Sequence, residues 1–216
     1  MTAQALTPQT LRIPLSVKLV FTLFMLVLVP YYWIDYGPTN FLYYCDVALF
    51  LTLIALWKEW PLPASMGAVG IVVVQFVWIA DFFANILGLK LVGMTDYMFK
   101  PSIPLFTRAL SFFHFWLPLF LLWVVWRLGY DRRAFAFWTY TAWILMLICY
   151  FFMPLPHALS GSSNLPVNIN YVYGTSELAA QTWMPPLAYL GLLMTALPLL
   201  VYWPTHYVLA KVYRRR

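Results

Sequence analysis

Charge is what this chain has least of. Its 216 residues include 13 basic and 7 acidic side chains, 9% in all, where an ordinary soluble domain carries roughly 25%. Hydrophobic residues make up 63%. A soluble core of this length has no room for so much apolar surface, so the bilayer must act as its solvent. Cysteine is almost missing as well. Cys45 and Cys149 lie in apolar stretches, form no C-x-x-C pair and have no other ligand type at zinc spacing, which argues against a disulfide framework and a cysteine-built metal site. Of three histidines only His114 lies deep in an apolar stretch. A bis-histidine haem is thereby excluded, and no metal or other cofactor is expected. No internal repeat is present, so an inverted-repeat transporter has no support.

The scarce charges are informative by position. A net charge of +6 would suit nucleic acid if the basic residues shared a face, but they scatter over segment ends. They read instead as topology signals and lipid-headgroup contacts, making membrane lipids the expected partner and nucleic acid none. Six segments approach the roughly 20 apolar residues a span requires: 14–33, 40–57, 65–88, 103–127, 134–153 and 185–207. The first lacks a small-residue cleavage site and reads as an uncleaved helix. With six spans, Arg12, Lys18, Lys58, Arg127, Arg132, Arg133, Lys211, Arg214, Arg215 and Arg216 fall on one side, and Lys90, Lys100 and Arg108 on the other. That bias puts both termini in the cytoplasm. The expected architecture is therefore an all-α, six-span bundle in the inner or plasma membrane, a single domain over 1–216. The Pro-, Gly- and Asn-rich loop 154–184 caps its extracytoplasmic side.

Ionisable groups inside a span are costly and mark a function by default. Asp46 lies six positions, about 9 Å, from the outer end of the second segment, and Asp81 about 10 Å from that of the third. His114 is near the middle of the fourth. Thr107, Ser111, His114 and Pro118 share one helical stripe, Trp78, Asp81 and Asn85 another, and Thr39, Tyr43 and Asp46 a third. Turned inward, the stripes outline a polar chamber open to the outside. The plainer alternative is helix glue: Asp46 as a cap, Asp81 with Asn85 as an interhelical clamp, Arg108 snorkelling or pairing with either carboxylate.

Nucleophilic catalysis needs a nucleophile, a base and a group to orient the base. His114 supplies the base, Asp46 or Asp81 the orienter, and Thr39, Ser111 or Cys45 the nucleophile. Asn40, Asn168 and Asn170 are candidate oxyanion donors, and Asn85, Arg108 and Tyr173 complete the expected substrate-binding set. The strings W-x-x-Y-G-P-x-N-F-L at 33–42, H-x-x-L-P at 114–118, G-Y-D-R-R-A at 129–134 and N-I-N-Y-V-Y-G at 168–174 together resemble a family of small bacterial integral membrane proteins. That resemblance implies the architecture and no activity. More distantly, the layout is similar to the androgen-induced membrane hydrolases, six-span proteins that use an intramembrane Thr and His to cleave branched fatty-acid esters. This likeness implies roles for Thr39 and His114. Two functions follow as expectations: a lipid- or fatty-acid-ester-directed hydrolase or acyltransferase using His114, or a non-catalytic subunit or lipid-binding protein. A small hydrophobic ligand fits either one, and a partner protein is not specified.

Overall fold

Backbone polar groups have no water to bond within a bilayer, so a chain this apolar must close its hydrogen bonds within helices. The computed structural model describes residues 13–156, 165–176 and 179–213, and every regular element among them is helical. The long helices are α1 (Leu15–Tyr36), α2 (Tyr44–Lys58), α3 (Pro61–Ile86) and α6 (Ala134–Phe152). Between α3 and α6 run α4 (Leu105–Ser111) and α5 (Phe113–Leu128), and after α6 come α7 (Pro186–Leu197) and α8 (Trp203–Val212). α4 and α5 follow one line through Phe112, and α7 and α8 are joined by a π-helical turn at Pro198–Tyr202. Arg12, His157 and Arg214–Arg216 lie outside the described residues.

Among the described residues, five stretches are long and apolar enough to cross a membrane: Leu15–Tyr36, Pro61–Ile86, Leu105–Leu128, Ala134–Phe152 and Pro186–Val212. The segment expected over 40–57 behaves differently. Its helix starts at Tyr44 and has 15 residues, about 22 Å at 1.5 Å per residue, against a hydrocarbon core of about 30 Å. A 3-10 turn, Pro38–Leu42, precedes it. Gly37 begins that turn at φ 74°, and Pro38 fixes its first position.

α3 is the central post, packed against α2, α5 and α6 and touched by α8. Its first half is buried nearly all round because its residues there are small. A methyl group on Gly70 would lie 1.9 Å from the Trp138 ring, and one on Gly67 would lie 3.3 Å from Leu121. The Gly67–Gly70 face, which on sequence suits helix pairing between copies, thus seats the indole of this chain's own α6. The last helix bends where Pro198 has no N–H to offer the Met194 carbonyl. Trp143 of α6 supplies the missing donor, Nε1 to Met194 O at 2.7 Å, as expected where neighbours must re-satisfy a proline break.

The bundle ends differ. At one end the turns are short and pinned: Lys18 pairs with Glu59 at 2.8 Å, the Asp131 N–H donates to Ser65 Oγ at 3.0 Å, and Tyr130 meets His206 Nδ1 at 2.7 Å. The other end carries residues 37–43, 87–104 and the described parts of 153–185. There Asn168 and Asn170 take left-handed conformations, φ 48° and 57°, a region asparagine tolerates better than most residues. Asn170 Oδ1 accepts the Tyr44 N–H at 3.1 Å and its Nδ2 donates to Leu42 O at 2.9 Å. A loop 126 positions away in sequence therefore caps α2, a helix whose own N-cap, Tyr43, offers no side-chain bond.

Candidate functional site

Because α2 begins only at Tyr44, Asp46 sits in its first turn and is buried, with 2% of its surface exposed. Oδ2 meets only the Cys45 thiol, at 3.7 Å, and Oδ1 has no hydrogen bond. Around this carboxyl the structure gathers side chains from four other elements. Tyr32 of α1 lies within electrostatic range of Asp46, and its hydroxyl bonds Ser111 Oγ of α4 at 2.8 Å. Tyr97, on the 3-10 turn Asp96–Phe99, faces Ser111, the Trp78 indole of α3 and Cys45. Burial pushes the Tyr97 phenol well above its ordinary pKa, so it remains a neutral donor. Tyr31 extends the ring of hydroxyls, bonding Thr107 Oγ1 at 2.6 Å.

Two α3 side chains are also buried with polar atoms outside the regular hydrogen-bond network. Both polar atoms of Gln75 make no hydrogen bond, while Trp78 Nε1, lacking a hydrogen bond of regular geometry, lies beside the Tyr97 hydroxyl, and positions 75 and 78 share one helix face. Buried polar groups in native proteins are nearly always bonded, to protein, water or ligand. Asp46 Oδ1 on α2 is an exception to that rule.

His114 lies against this group but is not joined to a nucleophile. Its ring stacks on Trp78, centroids 5.3 Å apart, and on Phe113. Nδ1 is 2.7 Å from the Ser111 carbonyl. A carbonyl only accepts, so Nδ1 carries the proton and Nε2 is the basic nitrogen in the neutral ring. Ser111 is thus a partner of His114 through its backbone, while its hydroxyl is held by Tyr32.

The other expected site residues are placed elsewhere. Asp81, expected as an orienter of His114, spends both oxygens on the loop after α3. Oδ1 accepts the N–H of Val92 at 2.7 Å and of Gly93 at 2.9 Å, and Oδ2 accepts Thr95 N–H at 2.9 Å and Thr95 Oγ1 at 2.8 Å. Asn85 joins it, donating to Asp96 Oδ1 at 2.9 Å. These two residues clamp a loop rather than a second long helix. Arg108 pairs with neither carboxylate and donates to the Met98 carbonyl at 3.1 Å, anchoring the same segment from the other side. Asn168 donates to the carbonyls of Gly174 and Ser176 and accepts the Tyr173 N–H, leaving no amide proton for an oxyanion. Asn170 is committed to α2, as described, and to Cys149 Sγ at 3.5 Å. The Tyr173 hydroxyl donates to the Tyr150 carbonyl, its ring stacked on Tyr150. Thr39 is half-buried and Asn40 buried within the 3-10 turn, which Asn40 closes through its carbonyl to the Tyr43 N–H at 3.1 Å. No three His, Cys, Asp or Glu side chains gather among the described residues.

Of the expected set, then, Asp46, Ser111 and His114 come together, joined by Tyr32, Trp78 and Tyr97. Trp78 shared a stripe with Asp81 in the sequence. The tyrosines carried no signal of their own, because Tyr is common at membrane interfaces anyway. Comparison with family models, with curated proteins and with solved structures finds no match to this chain.

Proposed function

We propose that this is a six-span integral membrane protein, both termini cytoplasmic, that holds the polar head of an amphiphile in an outward-facing intramembrane chamber around Asp46, Trp78, Tyr97 and Ser111. The 3-10 turn 38–42 and α2 together make the second crossing. Ten basic residues against three on the two sides support the orientation. The observation that carries the reading is the buried Asp46 Oδ1, which has no hydrogen bond. Leaving a buried polar group unmade costs about 1–3 kcal/mol, and more when it is charged. A guest removes that cost.

A second reading, a His-dependent lipid hydrolase or acyltransferase, draws on His114 Nε2 and on the likeness to the androgen-induced hydrolases. It requires Ser111 Oγ to leave Tyr32 and reach Nε2, or Thr39 or Cys45 to do so, since base and nucleophile must approach to about 3 Å. The bonds of Ser111 and His114 favour the binding reading. Native mass spectrometry of protein released from membranes separates the two. Binding predicts a retained amphiphile that Ser111→Leu, which fills the chamber, expels, with no labelling by a fluorophosphonate. Hydrolysis predicts labelling that His114→Ala abolishes. Wild type without any adduct in membranes of several compositions refutes the binding reading.

A further inference from the structure

Resting on that binding reading, we propose that the head group is cationic, an alkylammonium, with Asp46 as its counter-charge. Asp46 is 2% exposed, and its only side-chain hydrogen bond among the described residues comes from a thiol 3.7 Å away. No basic residue at this end of the bundle reaches it. Arg108 donates through Nη1 to the Met98 carbonyl and makes no ion pair with Asp46, Lys90 lies 3.7 Å from Asp96, and Lys100 is exposed. The α2 N-terminus contributes favourably, since Asp46 is in its first turn. A helix dipole is worth about 0.3–1 kcal/mol, up to about 2 in partly buried geometry. The effective penalty for burying an ion is several kcal/mol. The dipole alone therefore does not sustain the carboxylate, which is charged here only beside a cation and is otherwise protonated.

The walls agree with that sign. Tyr32 and Tyr97 bring aromatic rings near the site, and a ring face attracts an ammonium group within about 6 Å of its centroid, whereas the Trp78 ring is stacked on Phe82 and His114. The hydroxyls of Tyr32, Tyr97 and Ser111 are acceptors for ammonium protons. A carboxylate or phosphate placed here would face Asp46 with no basic side chain to offset it. Tyr97 is half-buried on the turn Asp96–Phe99, in the loop after α3. The same ammonium chemistry comes from an amine-headed lipid or from a free amine.

The test uses full-length protein in nanodiscs of phosphatidylglycerol, which has no amine. Dodecylammonium is titrated against Trp fluorescence and thermal stability, with dodecanol and dodecanoate as neutral and anionic matches of the same chain. Saturable binding of dodecylammonium, weaker by about tenfold or more for the alcohol and in Asp46→Asn, is expected from a cation–aromatic contact added to a buried ion pair. Competition by phosphatidylethanolamine but not by ethylammonium identifies a lipid head group, and competition by both identifies a free amine. Equal affinity for dodecanol and dodecylammonium overturns the cationic assignment and leaves the binding reading standing. Binding of none of the three overturns the binding reading itself. An infrared carboxylic-acid band that Asp46→Asn removes, and that persists at saturating amine, also overturns the assignment by making Asp46 neutral. The selectivity of wild type needs no variant, so a misfolded Asp46→Asn leaves the proposal open to refutation.

Discussion

Asp81→Ala separates a structural from a catalytic use of the third span's carboxylate. Four donors converge on Asp81 at 2.7–2.9 Å, three of them backbone amides of a single loop turn. Hydrogen bonds to a charged group contribute about 1.5–3 kcal/mol each. Four would total about 6–12, but the released amides rehydrate at the membrane surface. About 4 kcal/mol in the opening equilibrium of residues 92–99 is therefore expected. At about 1.4 kcal/mol per tenfold, amide exchange in that segment should accelerate by two to three orders of magnitude, roughly, while α5 and α6 keep their protection. Asp81→Asn should fall between. Its amide oxygen still accepts from Val92 and Gly93, but its NH2 meets the Thr95 N–H donor to donor. Hydrogen exchange with mass spectrometry in nanodiscs reads all three proteins. Unchanged protection at 92–99 in Asp81→Ala would refute the clamp. Loss of protection throughout the chain would refute its local character.

Two further changes probe the scaffold. Gly70→Ala puts a methyl carbon 1.9 Å from the Trp138 ring; overpacking of this kind costs about 3 kcal/mol. The melting temperature in detergent should drop and recover partly when Trp138→Phe is added, whereas an unchanged melting temperature would show that the indole does not seat on Gly70. Asn170→Ala removes the bonds to Tyr44 and Leu42 and leaves at φ 57° a residue that tolerates the left-handed region less well than asparagine. The cost should be about 1–2 kcal/mol, as for a lost helix cap, read as faster exchange at 44–48. Asn170→Gly, which relieves the backbone, should lose less, and equal losses would mean that the backbone conformation does not matter.

The long apolar helices were legible because their signal is local. A run of about 20 apolar residues must bond its own backbone whatever surrounds it, so α1, α3, α6 and the lines 105–128 and 186–212 follow closely from composition. The start of α2 was not legible. Residues 40–43 are as apolar as those after them, and it is Gly37, Pro38 and the distant Asn170 that turn them into a 3-10 segment and delay the helix to Tyr44. That delay brings Asp46 into the first turn of a shortened helix.

The candidate site divides along the same line. Hydropathy alone sets Asp46, Ser111 and His114 apart, since an ionisable or hydroxyl group among apolar residues stands out at any depth. Which groups those residues meet depends on loops that hydropathy does not orient. Asp81 and Arg108 looked like partners of the chamber because their depth was right, yet backbone amides and a carbonyl of the 92–99 segment claim them first. That same folded-in segment delivers Tyr97, a residue whose sequence position suggests nothing but an interfacial loop. The sequence by itself determined a membrane-embedded helical bundle with a few ionisable groups inside it, because burial in lipid is a property of each segment. Only the tertiary structure decided which of those groups are fully hydrogen-bonded, like Asp81, and which, like Asp46 at its Oδ1, are not, because hydrogen-bond partners are shared between segments far apart in the chain.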